Sequence, residues 1–469
     1  MKKTINRWLI IFSLICFHLT TWAQKAGYDI QVNITNAQDT AVLLGYHFGN
    51  QKYVADTSFL VSAGIYSFKG DEALDPGVYF IYSSKIYFEL IITENQQHFE
   101  VTTDTTHFIN SMQTTGSREN ELFYQFQQLM AEHKKKISDL RKEFAKPDLK
   151  DSTSIRNSIA EVNEKTTKMQ LDIINNNPDT FVAELISLTR KPQIPDELAD
   201  TNDPDHRAKT YKYYKAHFFD HLDFSNDAFL RTPVFHSRVT EYLDKLTYPH
   251  PDSLAKAAEF MIEKASSNPK VFRYLVVSLT NKFETSKIMG MDAVFVYLAE
   301  KYYLTGRADW VDDEISKKIE DRVRELKPNL IGNQAPAMQL LDTLLQPTSL
   351  DNVAANYTVL FFYDPDCGHC KKVTPELLEV YHNSLKSQDV EVLAISTITD
   401  INKWREFVQK FELDWINLAD PYYQSDFRQQ YNVKTTPAIY ILDQDKKIIA
   451  KDIGVDQIEG FLKPRLARK

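Results

Sequence analysis

Cysteine is nearly absent from this chain. There are three in 469 residues, and Cys16 lies in an apolar N-terminal stretch. So few cysteines exclude a multi-disulfide framework, and there is no second pair to complete a four-ligand zinc site. Long apolar runs are missing too: Trp8 to Leu19 falls short of the roughly 18–20 residues a spanning helix needs. Nor is there an excess of basic charge. Lys and Arg number 55 against 64 Asp and Glu, a net charge of −9, which excludes a non-specific nucleic-acid binder. The chain carries no phosphate loop, no Gly-x-Gly-x-x-Gly, no zinc-protease motif and no serine-hydrolase elbow. Apolar material is ample, at 43% of residues with 28 Phe and 24 Tyr, so the length supports two to four packed domains.

The N-terminus has the layout of a signal peptide. Lys2, Lys3 and Arg7 precede the apolar stretch, and Thr21 and Ala23 offer small residues before a mature start at Gln24. The expected location is therefore the periplasm or cell envelope, with residues 1–23 removed and no membrane span afterwards. Removal of Cys16 leaves Cys367 and Cys370 as the only cysteines. A disulfide across two intervening residues closes a tiny loop and removes little chain entropy, so redox chemistry explains the pair better than stability does.

Three patterns follow along the chain. Residues 25–113 carry short runs rich in Val, Ile, Tyr, Phe and Thr, broken at Gly49-Asn50, Gly70-Asp71, Asp75-Pro76-Gly77 and Glu94-Asn95. They predict a small antiparallel β domain, a sandwich or barrel. Residues 114–327 turn to helical periodicity, from a cap at Ser117 through joints at Pro192, Pro204, Pro233 and Pro251. Residues 329–469 alternate: strand Thr358–Tyr363, helix Cys370–Asn383, strand Val390–Ser396, helix Ile401–Phe411, hairpin Ala438–Asp443 with Lys447–Lys451, and helix Val455–Lys463. That alternation predicts an α/β domain with a central sheet.

Cys367 follows the apolar run Val359–Tyr363 after Asp364-Pro365-Asp366, which places it at the start of a helix. Free backbone N–H groups and the positive end of the helix dipole favour a thiolate there. His369 can add positive charge beside it, while Asp364 and Asp366 act against it. The pKa of Cys367 is expected below the free value of about 8.5. Cys370, one turn on, can attack a mixed disulfide and release the client. Thr435-Thr436-Pro437, just ahead of the strand Ala438–Leu442, is expected to lie beside the cysteines and shape a groove for an extended client segment.

Strand, Cys-x-x-Cys, helix and then Thr-Pro opening a hairpin resembles the thioredoxin fold. Gly332-Asn333-Gln334-Ala335-Pro336, Leu340-Leu341-Asp342, Pro375 and Ile441-Leu442-Asp443 resemble the TlpA-like and ResA-like exported thiol–disulfide oxidoreductases. The resemblance spans residues 329–469. It implies a redox-active Cys367–Cys370 disulfide with no other cofactor and no metal, and tuning by Gly368 and His369. It also implies Thr436 and Pro437 at the client groove. The partners it implies are disulfide-containing or dithiol client proteins and an envelope electron donor or acceptor. Ser62–Phe68, Asp75–Tyr79 and Thr115-Gly116-Ser117 with Asn120 are similar to an uncharacterised β domain found ahead of such modules, and the helical stretch resembles an uncharacterised linker domain.

The chain departs from the family at several points. Phe361 stands where thioredoxins bury an Asp, and Val373 where ResA-like proteins have a Glu, so the proton acceptor for Cys370 is unassigned. Asp366 replaces the usual Trp. Gly-His is the dipeptide of protein disulfide isomerases, which are less reducing than thioredoxin. The family prior favours a reductase. Lys371 after the second cysteine excludes haem attachment, and Asp364 stands where peroxiredoxins carry a Thr. Copper capture by the dithiol, and a binding or scaffold protein with a relic pair, are the competing readings.

Overall fold

The computed structural model describes residues 27–145, 153–198 and 203–467. The signal-peptide reading and Cys16 lie outside the described residues. The chain divides into two compact units. One is Met1–Asp200 with His217–Leu222 and Ala228–Ser237; the other is Thr201–Ala216 with Asp223–Asp227 and Arg238–Lys469.

The first unit opens with eight strands: β1 Tyr28–Thr35, β2 Ala41–Phe48, β3 Gln51–Phe59, β4 Ile65–Gly70, β5 Gly77–Tyr82, β6 Tyr87–Ile92, β7 His98–Asp104 and β8 Gln113–Thr115. They form two four-stranded sheets, ordered β4-β1-β7-β8 and β3-β2-β5-β6. Alternation buries Ile30, Val32 and Ile34 of β1 and Val42 and Leu44 of β2 on the inner faces. All pairings are antiparallel except β1 with β7, which run parallel. β3 carries no apolar alternation and is exposed along most of its length; it is held as an edge strand by the turn at Gly49-Asn50.

Helices α1 Arg118–Phe144, α2 Thr153–Asn176 and α3 Phe181–Thr189 follow in the same unit. The Ser117 side chain caps α1 by accepting from the Asn120 N–H. Asn120 is fully buried and ties α1 to β6. Its amide donates to the Ile91 carbonyl and accepts from the Ile91 N–H, each at 2.8 Å. The carboxylate of Glu119 takes the first N–H groups of α3, Phe181 and Val182, at 3.0 Å.

The second unit holds α4 His206–Ala216, α6 Pro251–Lys264, α7 Pro269–Glu284, α8 Asp292–Leu298 and α9 Asp313–Leu326, with α5 Pro233–Lys245 leading into it. Pro251 and Pro269 stand in the first turn of their helices, where a missing N–H costs nothing. The C-terminal α/β domain packs in the same unit. Its strands are β9 Gln339–Leu341, β10 Pro347–Ser349, β11 Tyr357–Tyr363, β12 Val390–Ser396, β13 Ile416–Ala419, β14 Ala438–Leu442 and β15 Ile448–Lys451. Their order is β10-β9-β13-β12-β11-β14-β15. β11 is central and buried along its whole length, parallel to β12 and antiparallel to β14. One sheet face carries Val359, Phe361 and Tyr363 against α10 Gly368–Val380, α11 Ile401–Lys410 and α13 Val455–Leu466. The other carries Leu360 and Phe362 against Phe427, in α12 Phe427–Gln430, and Tyr431. Apolar residues run continuously along β11 because both faces are covered. This is a thioredoxin-like mixed sheet.

Candidate active site

β11 ends at Tyr363 and the chain turns through Asp364-Pro365-Asp366 into α10. Cys367 is the N-cap of that helix, with extended backbone (φ −69°, ψ 122°). Its sulfur accepts from the Cys370 N–H at 3.5 Å. The turn is locked by the Cys367 N–H on the Asp364 carbonyl (3.0 Å) and the Asp366 N–H on Asp364 Oδ1 (2.7 Å). Backbone donation, first from Cys370 and also from His369, holds the Cys367 pKa below its ordinary value. The positive pole of α10 acts in the same direction.

Cys370 sits one turn later, fully buried on the sheet side of α10. Burial pushes its thiol up to about 11, and the neighbouring Cys367 adds to the rise. Two free thiols on one helix turn are thus put in opposite states: Cys367 is partly exposed and inclined to ionise, Cys370 buried and protonated.

The Thr436–Pro437 peptide is cis, and the Thr436 carbonyl accepts from Cys367 Sγ at 3.5 Å. The fold therefore brings Cys367, Cys370 and Thr436 together across 69 residues of sequence, with Pro437 leading into β14. Gly368 and His369 are exposed. A Cβ at Gly368 would meet nothing within 4 Å, so no close packing demands glycine there. His369 reaches the sulfur through its backbone N–H. Among the described residues no cluster of His, Cys, Asp or Glu is placed to hold a metal.

Two features were not read from the sequence. Lys403, on α11, pairs with the Asp366 carboxylate at 2.9 Å and holds that carboxyl below its usual range. It thereby offsets the acid that was expected to oppose the thiolate. No local signal links residues 37 positions apart. The second is a set of three buried polar side chains that close no hydrogen bond: Tyr363 and Trp404, in the same packed cluster as Cys370, and Ser396, the register partner of Tyr363. All three lie in segments whose apolar pattern reads only as core.

Residues 331–451 match the AhpC/TSA family. Residues 151–329 and 28–123 match two domains of unknown function, DUF5106 and DUF4369. No curated protein matches the chain. Among solved structures, a domain of a possible thiol-disulfide isomerase from Cytophaga hutchinsonii is 34% identical, with 30% of this chain and 97% of that one covered and a TM-score of 0.28. A thioredoxin-like protein from Bacteroides caccae is 21% identical over 59% of this chain and 98% of that one, with a TM-score of 0.45. A thiol-disulfide oxidoreductase from Bacteroides fragilis is 26% identical over 28% of this chain and 99% of that one, with a TM-score of 0.27.

Proposed function

We propose, from the premise that the C-terminal domain belongs to the thioredoxin-fold thiol–disulfide oxidoreductases, that the chain is an exported reductase of protein disulfides working in the periplasm or cell envelope. One observation carries the reading: two sulfurs on one helix turn, one capping the helix with its pKa lowered, the other buried with its pKa raised. That asymmetry suits an attacking and a resolving thiol.

The Cys367 thiolate attacks a client disulfide, and one client sulfur leaves as a thiol. Cys370 then attacks Cys367 in the mixed disulfide. The Cys367–Cys370 bond forms, the second client sulfur leaves, and the proton lost by Cys370 ends on it. A dithiol donor in the envelope returns the pair to the reduced form. The backbone at Thr436-Pro437, beside Cys367, is the surface on which an extended client segment would lie.

The test is a Cys370→Ala variant incubated with envelope proteins. It should accumulate mixed disulfides through Cys367 that a thiol reductant releases. If no client is trapped and the wild type does not reduce insulin, the reading is wrong.

A further inference from the structure

Resolution of the mixed disulfide requires Cys370 to lose its proton in a site fully closed to solvent. Charge developing on a buried sulfur needs a hydrogen-bond donor. The Asp364 backbone bears on the sulfur, but neither Phe361 on the preceding strand nor Val373 on the following turn can supply a side-chain donor. What the sheet does supply is Tyr363. It is the last residue of β11, fully buried, and in the same packed cluster as Cys370. Its ring is fixed between Phe361 (centroids 5.4 Å apart, planes at 9°) and Phe407 (5.0 Å). The ring, and with it the phenol oxygen, is therefore held in place.

Three buried polar atoms belong to this corner, and none of them closes a hydrogen bond: the Tyr363 hydroxyl, Ser396 Oγ and Trp404 Nε1. Tyr363 and Ser396 are register partners at the ends of adjacent parallel strands, on the same sheet face. The Trp404 indole N–H bears on the phenol oxygen from α11 without completing a bond. Three orphaned groups in one core corner are uncommon, and each calls for a reason. Burial is the first cause that disfavours the Tyr363 phenolate and charge on Cys370 adds to it, so the phenol stays in its donating form within electrostatic reach of that sulfur. The other titratable group facing Cys370 is Cys367, on its own helix. Lys403 of α11 is directed to Asp366 at the surface, while β14 and α13 bring Ile439, Ile441, Ile458 and Leu462.

We propose that Tyr363 assists Cys370: its phenol O–H, faced by the Trp404 indole N–H, donates to the Cys370 sulfur as that sulfur ionises to attack the mixed disulfide. Tyr363 keeps its proton throughout. The S–S bond between Cys370 and Cys367 forms as the Cys367–client bond breaks, and the proton released by Cys370 leaves with the client sulfur. This rests on the dithiol reading above.

The experiment uses the full chain with Cys16→Ser as its background, and 5,5′-dithiobis(2-nitrobenzoate). Attack by Cys367 releases one thionitrobenzoate, and attack by Cys370 on the resulting mixed disulfide releases the second, with the proton going to solvent. Tyr363→Phe should leave the first release at the wild-type rate and slow the second by about tenfold at pH 7, the gap narrowing as pH rises toward 11, because a hydrogen bond to a charged group is worth at least that factor. A second release within twofold of wild type overturns the assignment. Should Tyr363→Phe fail to fold, Trp404→Phe carries the test. It removes the N–H that faces the phenol oxygen and must slow the same step; an unchanged rate refutes the proposal equally. Absence of any second release from the wild type sinks the dithiol reading instead.

Discussion

Single-cysteine variants test the inequality of the two sulfurs directly. With Cys16 replaced by Ser in both, Cys370→Ser leaves only Cys367 to react with iodoacetamide, and Cys367→Ser only Cys370. With its thiol at about 11, Cys370 has a thiolate fraction at pH 7 about 300-fold below that of a free thiol at about 8.5. The more basic thiolate is the better nucleophile. With a Brønsted slope of about 0.4–0.5, roughly tenfold of the deficit is recovered. A deficit of about 20–30-fold remains from ionisation alone. Complete burial of Cys370 enlarges it further. Removing Cys367 relieves a little of the rise, since that neighbour contributes to it, but the first cause is burial and it persists. Cys367 gains on the free thiol through the backbone donors at the helix terminus. The expected result is alkylation of Cys367 at least 20-fold faster than of Cys370 at pH 7, the ratio shrinking as pH rises. Equal rates, or a faster Cys370, would refute the assignment of attacking and resolving roles.

Other perturbations follow from the same geometry. Lys403→Ala leaves the Asp366 carboxylate unpaired one residue before Cys367 and should slow Cys367 alkylation at pH 7 by about twofold. That difference should fade in roughly 1 M salt, where the screening length is near 3 Å, and its persistence there would count against an electrostatic cause. Asp292→Ala removes the carboxylate paired with the buried Lys451 ammonium, leaving it the Asn329 side chain at 2.9 Å. It should cost about 3 kcal/mol in urea unfolding of the second unit, followed by tryptophan fluorescence. Asn120→Ala strips both hydrogen bonds from the Ile91 backbone and should cost about 2–3 kcal/mol, read as a lowered thermal midpoint.

Much of the C-terminal domain was legible because its signals are local. The run Val359–Tyr363 announces a strand covered on both faces, and strand Val390–Ser396 lies where the sequence puts it. Cys-Gly-His-Cys and Thr436-Pro437 are short motifs tied to particular backbone geometry, and the fold sets Thr436 against Cys367. β3 is not legible locally, because an edge strand exposed along most of its length has no alternation to read. β9, β10 and β13 span three or four residues each and exist through their ladder partners rather than their own periodicity. The helical stretch reads as one run because helical period reports local faces. Which body each helix joins depends on distant partners, and α1 to α3 group with the two sheets while α6 to α9 group with the C-terminal domain. The Lys403–Asp366 pair and the corner at Tyr363, Ser396 and Trp404 are tertiary for the same reason.

The direction of electron flow turns on one of the two sulfurs. A thiol–disulfide potential measures how stable the reduced pair is, and ionisation stabilises it only for a thiol whose pKa falls to or below the working pH. Cys370, held at about 11, is protonated at neutral pH in the folded protein, as an unperturbed thiol largely is, so its upward shift leaves the neutral-pH potential nearly untouched. Cys367 is different: every increment of thiolate stabilisation at the helix terminus also stabilises the dithiol and makes the couple more oxidising. The features that speed attack therefore work against a reductant, and Asp364 and Asp366, far from being defects, limit that drift. Lys403 decides how far Asp366 can do so. If the reductase reading is right, the Cys367/Cys370 couple lies near roughly −270 mV, and Lys403→Ala moves it to a more reducing value by unmasking Asp366; a wild-type potential near about −120 to −180 mV overturns the reductase assignment while leaving the dithiol chemistry in place.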